Sequence, residues 1–144
     1  MEYNYELLQR ATNFAIEAHG DQMYGDKPYL YHLSQVENNV IRVLGVDAFK
    51  ERIVAMLHDV IEDTDVAWFE LVGMFGKEIT DAVQAMSKID GEDYYDYIAR
   101  CRANPIALLV KKCDTMANLT QSFTEQRHKG IIKYTTQLQL LEAK

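Results

Sequence analysis

Apolar residues recur along this chain at intervals of three and four, the spacing that lines one face of a helix. Leu7, Leu8, Ala11, Phe14, Ala15 and Ala18 predict a first helix over residues 4–19, ended at His19. Breakers crowd Gly20-Asp21-Gln22-Met23-Tyr24-Gly25-Asp26-Lys27-Pro28, which reads as a loop. Leu33, Val36, Val40 and Val43 mark a second helix, from soon after Pro28 to Gly45, with His32 in its first turn. Asp47 is a candidate N-cap for a third helix. Asp65 is a candidate cap for a short fourth, Trp68 to Phe75, which Gly76 stops. Ile79, Ala82, Val83 and Met86 predict a fifth helix, and Tyr94 to Arg102 a sixth. Asn104-Pro105 joins a cap residue to proline at the first helical position, so a seventh helix starts there and reaches about Leu119. Ile132, Tyr134, Leu138 and Leu141 mark a last one over Lys129 to Leu141. No strand alternation, internal repeat or low-complexity segment interrupts the series. The expected fold is all-α, a bundle of about eight helices, in a single domain over residues 1–144.

The third helix departs from a plain amphipathic pattern. With His58 set at zero degrees, Glu62 falls at about 40°, Asp59 at about 100° and Asp63 at about 140°. Ile53, Val54, Met56, Leu57, Val60 and Ile61 fill the opposite arc. A solvated face would read the same way, and Glu51 and Arg52 share it. Yet three carboxylates packed this densely beside an imidazole repel one another unless a cation holds them.

Composition narrows the rest. Formal net charge is -7 at pH 7, which argues against broad binding to nucleic acid or to anionic membranes. A local metal can still reverse the field inside one pocket and admit a small anion. Cys101 and Cys113 offer neither zinc spacing nor a disulfide framework. Met1-Glu2-Tyr3-Asn4 is no signal peptide, and no apolar run approaches membrane-spanning length, so the cytoplasm is the expected location.

The remaining candidate ligands lie in separate segments. His32 opens helix two, His58 and Asp59 sit on helix three, and Asp114 sits on helix seven with Asn118 one turn later on the same face. Two imidazoles and two carboxylates make a mixed nitrogen and oxygen set without thiolate. Such a set suits manganese or iron, with cobalt or zinc as alternatives, rather than a structural zinc cage. Four protein ligands would leave positions open for water and a phosphoryl oxygen.

The motifs themselves resemble a known family. Phe14-Ala15 followed by His19, then Lys27-Pro28-Tyr29-Leu30-Tyr31-His32, is similar to the first motif of the HD-domain metal-dependent phosphohydrolases. Leu57-His58-Asp59-Val60-Ile61-Glu62-Asp63-Thr64 resembles their central motif, and Phe75-Gly76 the helix end that follows. Val110-Lys111-Lys112-Cys113-Asp114-Thr115-Met116-Ala117-Asn118-Leu119 resembles the late motif. The likeness runs from about Ala11 to Leu119 and is nearest to the alarmone hydrolase domain of the RelA/SpoT type in its small stand-alone form. It implies an all-α HD-domain bundle and one manganese ion on His32, His58, Asp59 and Asp114. It also implies roles for Glu62 and Asp63 at an attacking water, and removal of the 3′-pyrophosphate from guanosine tetra- or pentaphosphate. Tyr24 is then a candidate to stack on a base, Asn118 to meet a ribose or phosphate oxygen, and Lys27 and Lys111 to meet phosphates.

Three positions depart from the family pattern. No basic residue precedes Lys27 in Gln22-Met23-Tyr24-Gly25, Thr115 follows the late aspartate, and Leu33 follows His32 where proline is common. All bear on substrate choice and none on the expected ligands. Two other readings therefore stay open: hydrolysis of another phosphorylated nucleotide, and a nucleotide-binding sensor with little turnover. A small phosphorylated nucleotide is the expected partner in each, and homo-oligomerisation stays open.

Overall fold

A computed structural model describes residues Met1–Lys144. Nine helical segments and a minimal hairpin follow one another: α1 Tyr5–His19, β1 Met23–Tyr24, β2 Lys27–Pro28, α2 Tyr29–Leu44, α3 Phe49–Leu57, α4 Val60–Asp63, α5 Trp68–Phe75, α6 Lys77–Met86, α7 Tyr94–Ala103, α8 Pro105–Thr124 and α9 His128–Glu142. The protein is all-α apart from the hairpin, which pairs Met23 with Pro28 and Tyr24 with Lys27. Gly25 turns that hairpin at φ 62°, a left-handed value that side-chain-bearing residues rarely adopt.

α3 is the element around which the others pack. Every residue from Arg52 to Leu57 is buried, so this helix is enclosed almost all round past its first turn. α1, α2, α6 and α8 enclose it, and Leu33, Val36, Phe75, Ile79, Ala107 and Val110 complete one continuous core. Burying such a set removes the apolar surface that drives folding, at about 25 cal/mol per Å2. A smaller cluster of Tyr97, Ile98, Cys101 and Leu141 ties α7 to α9. Close approach of α9 to α8 depends on Gly130, where a Cβ would collide with Ser122 Oγ. No helix is long and apolar enough to cross a membrane.

Local chemistry explains where the helices begin. Asn4 Oδ1 accepts from Leu7 N at 3.0 Å and caps α1. Asn104 Oδ1 accepts from Ala107 N at 3.0 Å, and Pro105 takes the first position of α8 as its spacing predicts. Two expected caps are not used. Ala48, not Asp47, flanks α3 and makes no side-chain cap bond. Ala67, not Asp65, precedes α5, and Glu70 Oε2 reaches back to Ala67 N at 3.2 Å. α8 also runs on to Thr124, past the expected end near Leu119.

The helix expected to carry the central motif is broken in two. α3 ends at Leu57, and Asp59 takes φ -103° and ψ 0°, the bridge region between helix and strand. α4 then adds a single turn, started by Asp63 N donating to Asp59 O at 2.9 Å. The smooth helical wheel over His58, Asp59, Glu62 and Asp63 is therefore replaced by a kink. His58 and Asp59 turn inward, while Glu62 and Asp63 ride on the exposed turn beyond. The tyrosine group on α7 divides too: Tyr97 is buried with its hydroxyl donating to Met86 O, and Tyr95 is 67% exposed.

Candidate metal centre

α2, the α3–α4 kink and α8 bring His32, His58, Asp59 and Asp114 to one point. His32 Nε2 lies 2.9 Å from Asp114 Oδ1 and 3.9 Å from Asp59 Oδ2. His58 Nε2 lies 3.0 Å from Asp59 Oδ2 and 3.4 Å from Asp114 Oδ1. One ligand atom from each of His32, His58 and Asp59 falls within 4.8 Å of the others. Both imidazoles are 2% exposed, and Asp114 is 4% exposed.

Each side chain is braced from behind. His58 Nδ1 donates to Ala55 O at 2.6 Å, which aims Nε2 at the two carboxylates. That Nε2 is buried and forms no aligned hydrogen bond, although oxygens stand near it. A ring nitrogen aimed among anionic oxygens is a place where a divalent cation can replace a proton, so the residues present fit a metal. Tyr29 Oη donates to Asp59 Oδ2 at 2.5 Å. Lys111 Nζ lies 2.9 Å from Asp114 Oδ2, and Asn118 Nδ2 donates to Asp114 Oδ1 at 3.3 Å. The Tyr24 ring stacks on His32 with centroids 4.5 Å apart and planes at 17°.

The electrostatics follow from that crowding. Burial opposes charge on His58, but Asp59 and Asp114 outweigh it and hold its pKa well above the usual 6.5. Burial also pushes Asp59 upward, and the His58 charge and hydrogen bond more than offset this, to about 2. For Asp114 burial is again opposed, first by Lys111 and then by His58, which keep it well below the usual carboxylate range. Tyr29 is pushed up by burial and by the neighbouring Asp59 charge, so its hydroxyl stays a donor.

Glu62 and Asp63 stand at the rim and are exposed. Glu62 Oε1 accepts from Lys88 N at 2.6 Å, and Asp63 Oδ2 accepts from Gln22 Nε2 at 3.0 Å. Desolvation on its inner side, then the charges of Asp59 and Asp63, raise the Glu62 pKa, against the Lys88 N–H that lowers it.

The expected substrate residues are placed unevenly. Tyr24 Oη donates to Asn118 Oδ1 at 2.7 Å, so those two form one unit beside the cluster. One face of Tyr24 is already taken by His32. Lys27 sits in the hairpin with its ammonium 5.2 Å from the Tyr31 ring centroid. Lys111, expected at a phosphate, is instead drawn inward onto Asp114, because the two are three residues apart on α8. A cavity of about 220 Å3 opens past Tyr24 and Asn118, with Gly25, Gln121, Arg127 and Tyr134 in its wall. Sequence reasoning missed that wall, since α9 contributes to it without any motif. It also missed Tyr29, whose signal was its place one turn before His32.

Comparison with known proteins adds to this picture. No family model matches the chain. The guanosine-3′,5′-bis(diphosphate) 3′-pyrophosphohydrolase of Aquifex aeolicus is 32% identical over 144 residues, covering 92% of this chain and 20% of that protein. The Escherichia coli bifunctional (p)ppGpp synthase/hydrolase SpoT is 31% identical over 96 residues, covering 66% of this chain and 13% of that protein. The zebrafish guanosine-3′,5′-bis(diphosphate) 3′-pyrophosphohydrolase MESH1 is 29% identical over 126 residues, covering 78% of this chain and 67% of MESH1. The chain thus spans a fifth or less of the two long bacterial relatives. A solved structure, described as a metazoan ortholog of SpoT that hydrolyzes ppGpp, superposes with a TM-score of 0.81. It covers 99% of this chain and 89% of that one at 18% identity, and so bears on the fold. The chain thus has the helical HD-domain fold of that structure. In sequence, the chain is similar to the guanosine-3′,5′-bis(diphosphate) 3′-pyrophosphohydrolases over most of its own length.

Proposed function

We propose that this protein is a metal-dependent phosphohydrolase that removes the 3′-pyrophosphate from guanosine tetra- or pentaphosphate. The observation that carries the reading is the meeting of His32, His58, Asp59 and Asp114 from three separate segments. These four are the proposed ligands. Manganese is the proposed ion, because two imidazoles and two carboxylates without thiolate suit a borderline cation. When bound, the ion would lower the pKa of a water and neutralise charge on the phosphoryl group.

The chain's own groups do the rest. Glu62 and Asp63 orient the attacking water, and one of their carboxylate oxygens takes its proton. Water oxygen bonds to the phosphorus on the ribose 3′-oxygen, the bond from phosphorus to that oxygen breaks, and the 3′-oxygen gains a proton. Pyrophosphate leaves, and the 5′-diphosphate nucleoside stays behind. Tyr29 and Lys111 keep the carboxylates of Asp59 and Asp114 fixed and ionised through the reaction. The Tyr24–Asn118 unit meets the ribose, and the nucleoside end enters the cavity beyond it. Lys27, at the open rim of the hairpin, attracts the phosphates.

A nucleotide panel with manganese tests this. Release of pyrophosphate and guanosine diphosphate from guanosine tetraphosphate supports the reading. Turnover of other phosphorylated nucleotides alone, or tight binding without turnover, contradicts it.

A further inference from the structure

We propose that Gln22, with its amide direction set by His19, is the positioning residue that aims Asp63 at the cluster. This rests on the reading above, in which Asp63 acts on the attacking water. Asp63 ends a helix of one turn and is exposed, so its own element restrains it little. The restraint comes from the far end of α1. Gln22 N donates to His19 O at 3.0 Å, and Tyr29 N donates to Gln22 O at 3.1 Å, which pins the Gln22 backbone on both sides. Its side chain then bridges two groups: Oε1 lies 2.8 Å from His19 Nδ1, and Nε2 donates to Asp63 Oδ2 at 3.0 Å.

Only one arrangement of hydrogens satisfies both contacts. His19 Nδ1–H donates to the amide oxygen, and the amide nitrogen donates to the carboxylate. A flipped amide would set oxygen against oxygen at Asp63. The imidazole is itself held, being 7% exposed and stacked on Tyr29 with centroids 4.6 Å apart and planes at 28°. Tyr29 in turn donates to Asp59. One buried ring therefore indexes both the proposed ligand Asp59 and the acid Asp63. Its Nε2 is buried and has no partner, so no competing contact at that atom turns the ring. With Oδ2 engaged by the amide, Oδ1 of Asp63 is left to face a water.

The test compares Gln22→Leu, His19→Phe and Asp63→Asn in the full chain with manganese and guanosine tetraphosphate. His19→Phe keeps an aromatic ring against Tyr29 and removes only the donor. Gln22→Leu is expected to lower kcat about tenfold, the scale of one hydrogen bond to a charged group, with KM and manganese affinity unchanged. His19→Phe should lower kcat in the same way. In an Asp63→Asn background, Gln22→Leu should cost nothing further. Full kcat in Gln22→Leu, or losses that multiply in the double variant, overturns the proposal while leaving the hydrolase reading intact. Full kcat in Asp63→Asn removes Asp63 from the reaction and the proposal with it. A readout free of turnover is the 15N spectrum of His19. A single Nδ1–H tautomer that becomes mixed in Gln22→Leu supports the proposal, and an Nε2–H ring in the unaltered protein overturns it.

Discussion

The proposed ligand cluster and the acid pair sit side by side but are built differently. His32, His58, Asp59 and Asp114 are rooted in two long helices and the end of a buried one, and each has a second contact that fixes its direction. Glu62 and Asp63 ride on one exposed turn, and each is held by a single bond from outside, Lys88 N–H and Gln22 Nε2. Holding a concentrated charge requires burial, bracing and compensation. Meeting a water requires access, and access removes most of the bracing. The kink at Asp59 lets one short stretch serve both needs, since it turns His58 and Asp59 inward and sends α4 out to the rim.

Variants that cross this divide should separate the two halves. The largest effect is expected from Asp59→Ala, which takes away a ligand and leaves Tyr29 without its acceptor. Metal affinity, read by calorimetry, should fall more than about a hundredfold, and activity with it. Retention of a tight ion in that variant would break the division. Glu62→Gln comes next and should act on the other half alone. It should bind metal like the unaltered protein and lose about a hundredfold in kcat. Tyr29→Phe is expected to be milder. Removing the hydroxyl behind Asp59 should weaken metal binding about tenfold, in line with other groups that brace a ligand.

The smallest effect is a proton count. His58 holds its proton well above the usual range because Asp59 and Asp114 face it. Metal must displace that proton, so affinity should rise with pH up to the raised His58 pKa and level off above it. Asp59, held at about 2, and Asp114, held well below the usual carboxylate range, are ionised throughout and add no slope near neutrality. Calorimetric heats in buffers of differing ionisation enthalpy at pH 7 should show release of about one proton on metal binding. Heats independent of the buffer would contradict the proton assigned to His58 in the metal-free protein.

Much of this arrangement is legible in the sequence, and the limits have physical causes. Helical period alone marks the long helices, because α1, α2, α6 and α8 each lay an apolar stripe on α3, and Asn104-Pro105 announces α8 by its cap chemistry. Convergence of three distant segments is not a local property. It could be expected only from the motifs around His32, His58 and Asp114 and their likeness to a family. The kink at Asp59 leaves no such mark, since Val60 and Ile61 continue the apolar period as though the helix ran on. Lys111 reads as a candidate phosphate contact and lies inward, where Asp114 compensates it. The cavity wall from Gln121 to Tyr134 depends on how α9 folds back on α8, and the Gly130–Ser122 approach that permits it has no signature in spacing.

The most direct test is anomalous diffraction from crystals of the protein grown with manganese. The account predicts one peak per chain, within bonding distance of His32 Nε2, His58 Nε2 and a carboxylate oxygen from each of Asp59 and Asp114. A peak elsewhere, or none beside those four residues at saturating manganese, would contradict it.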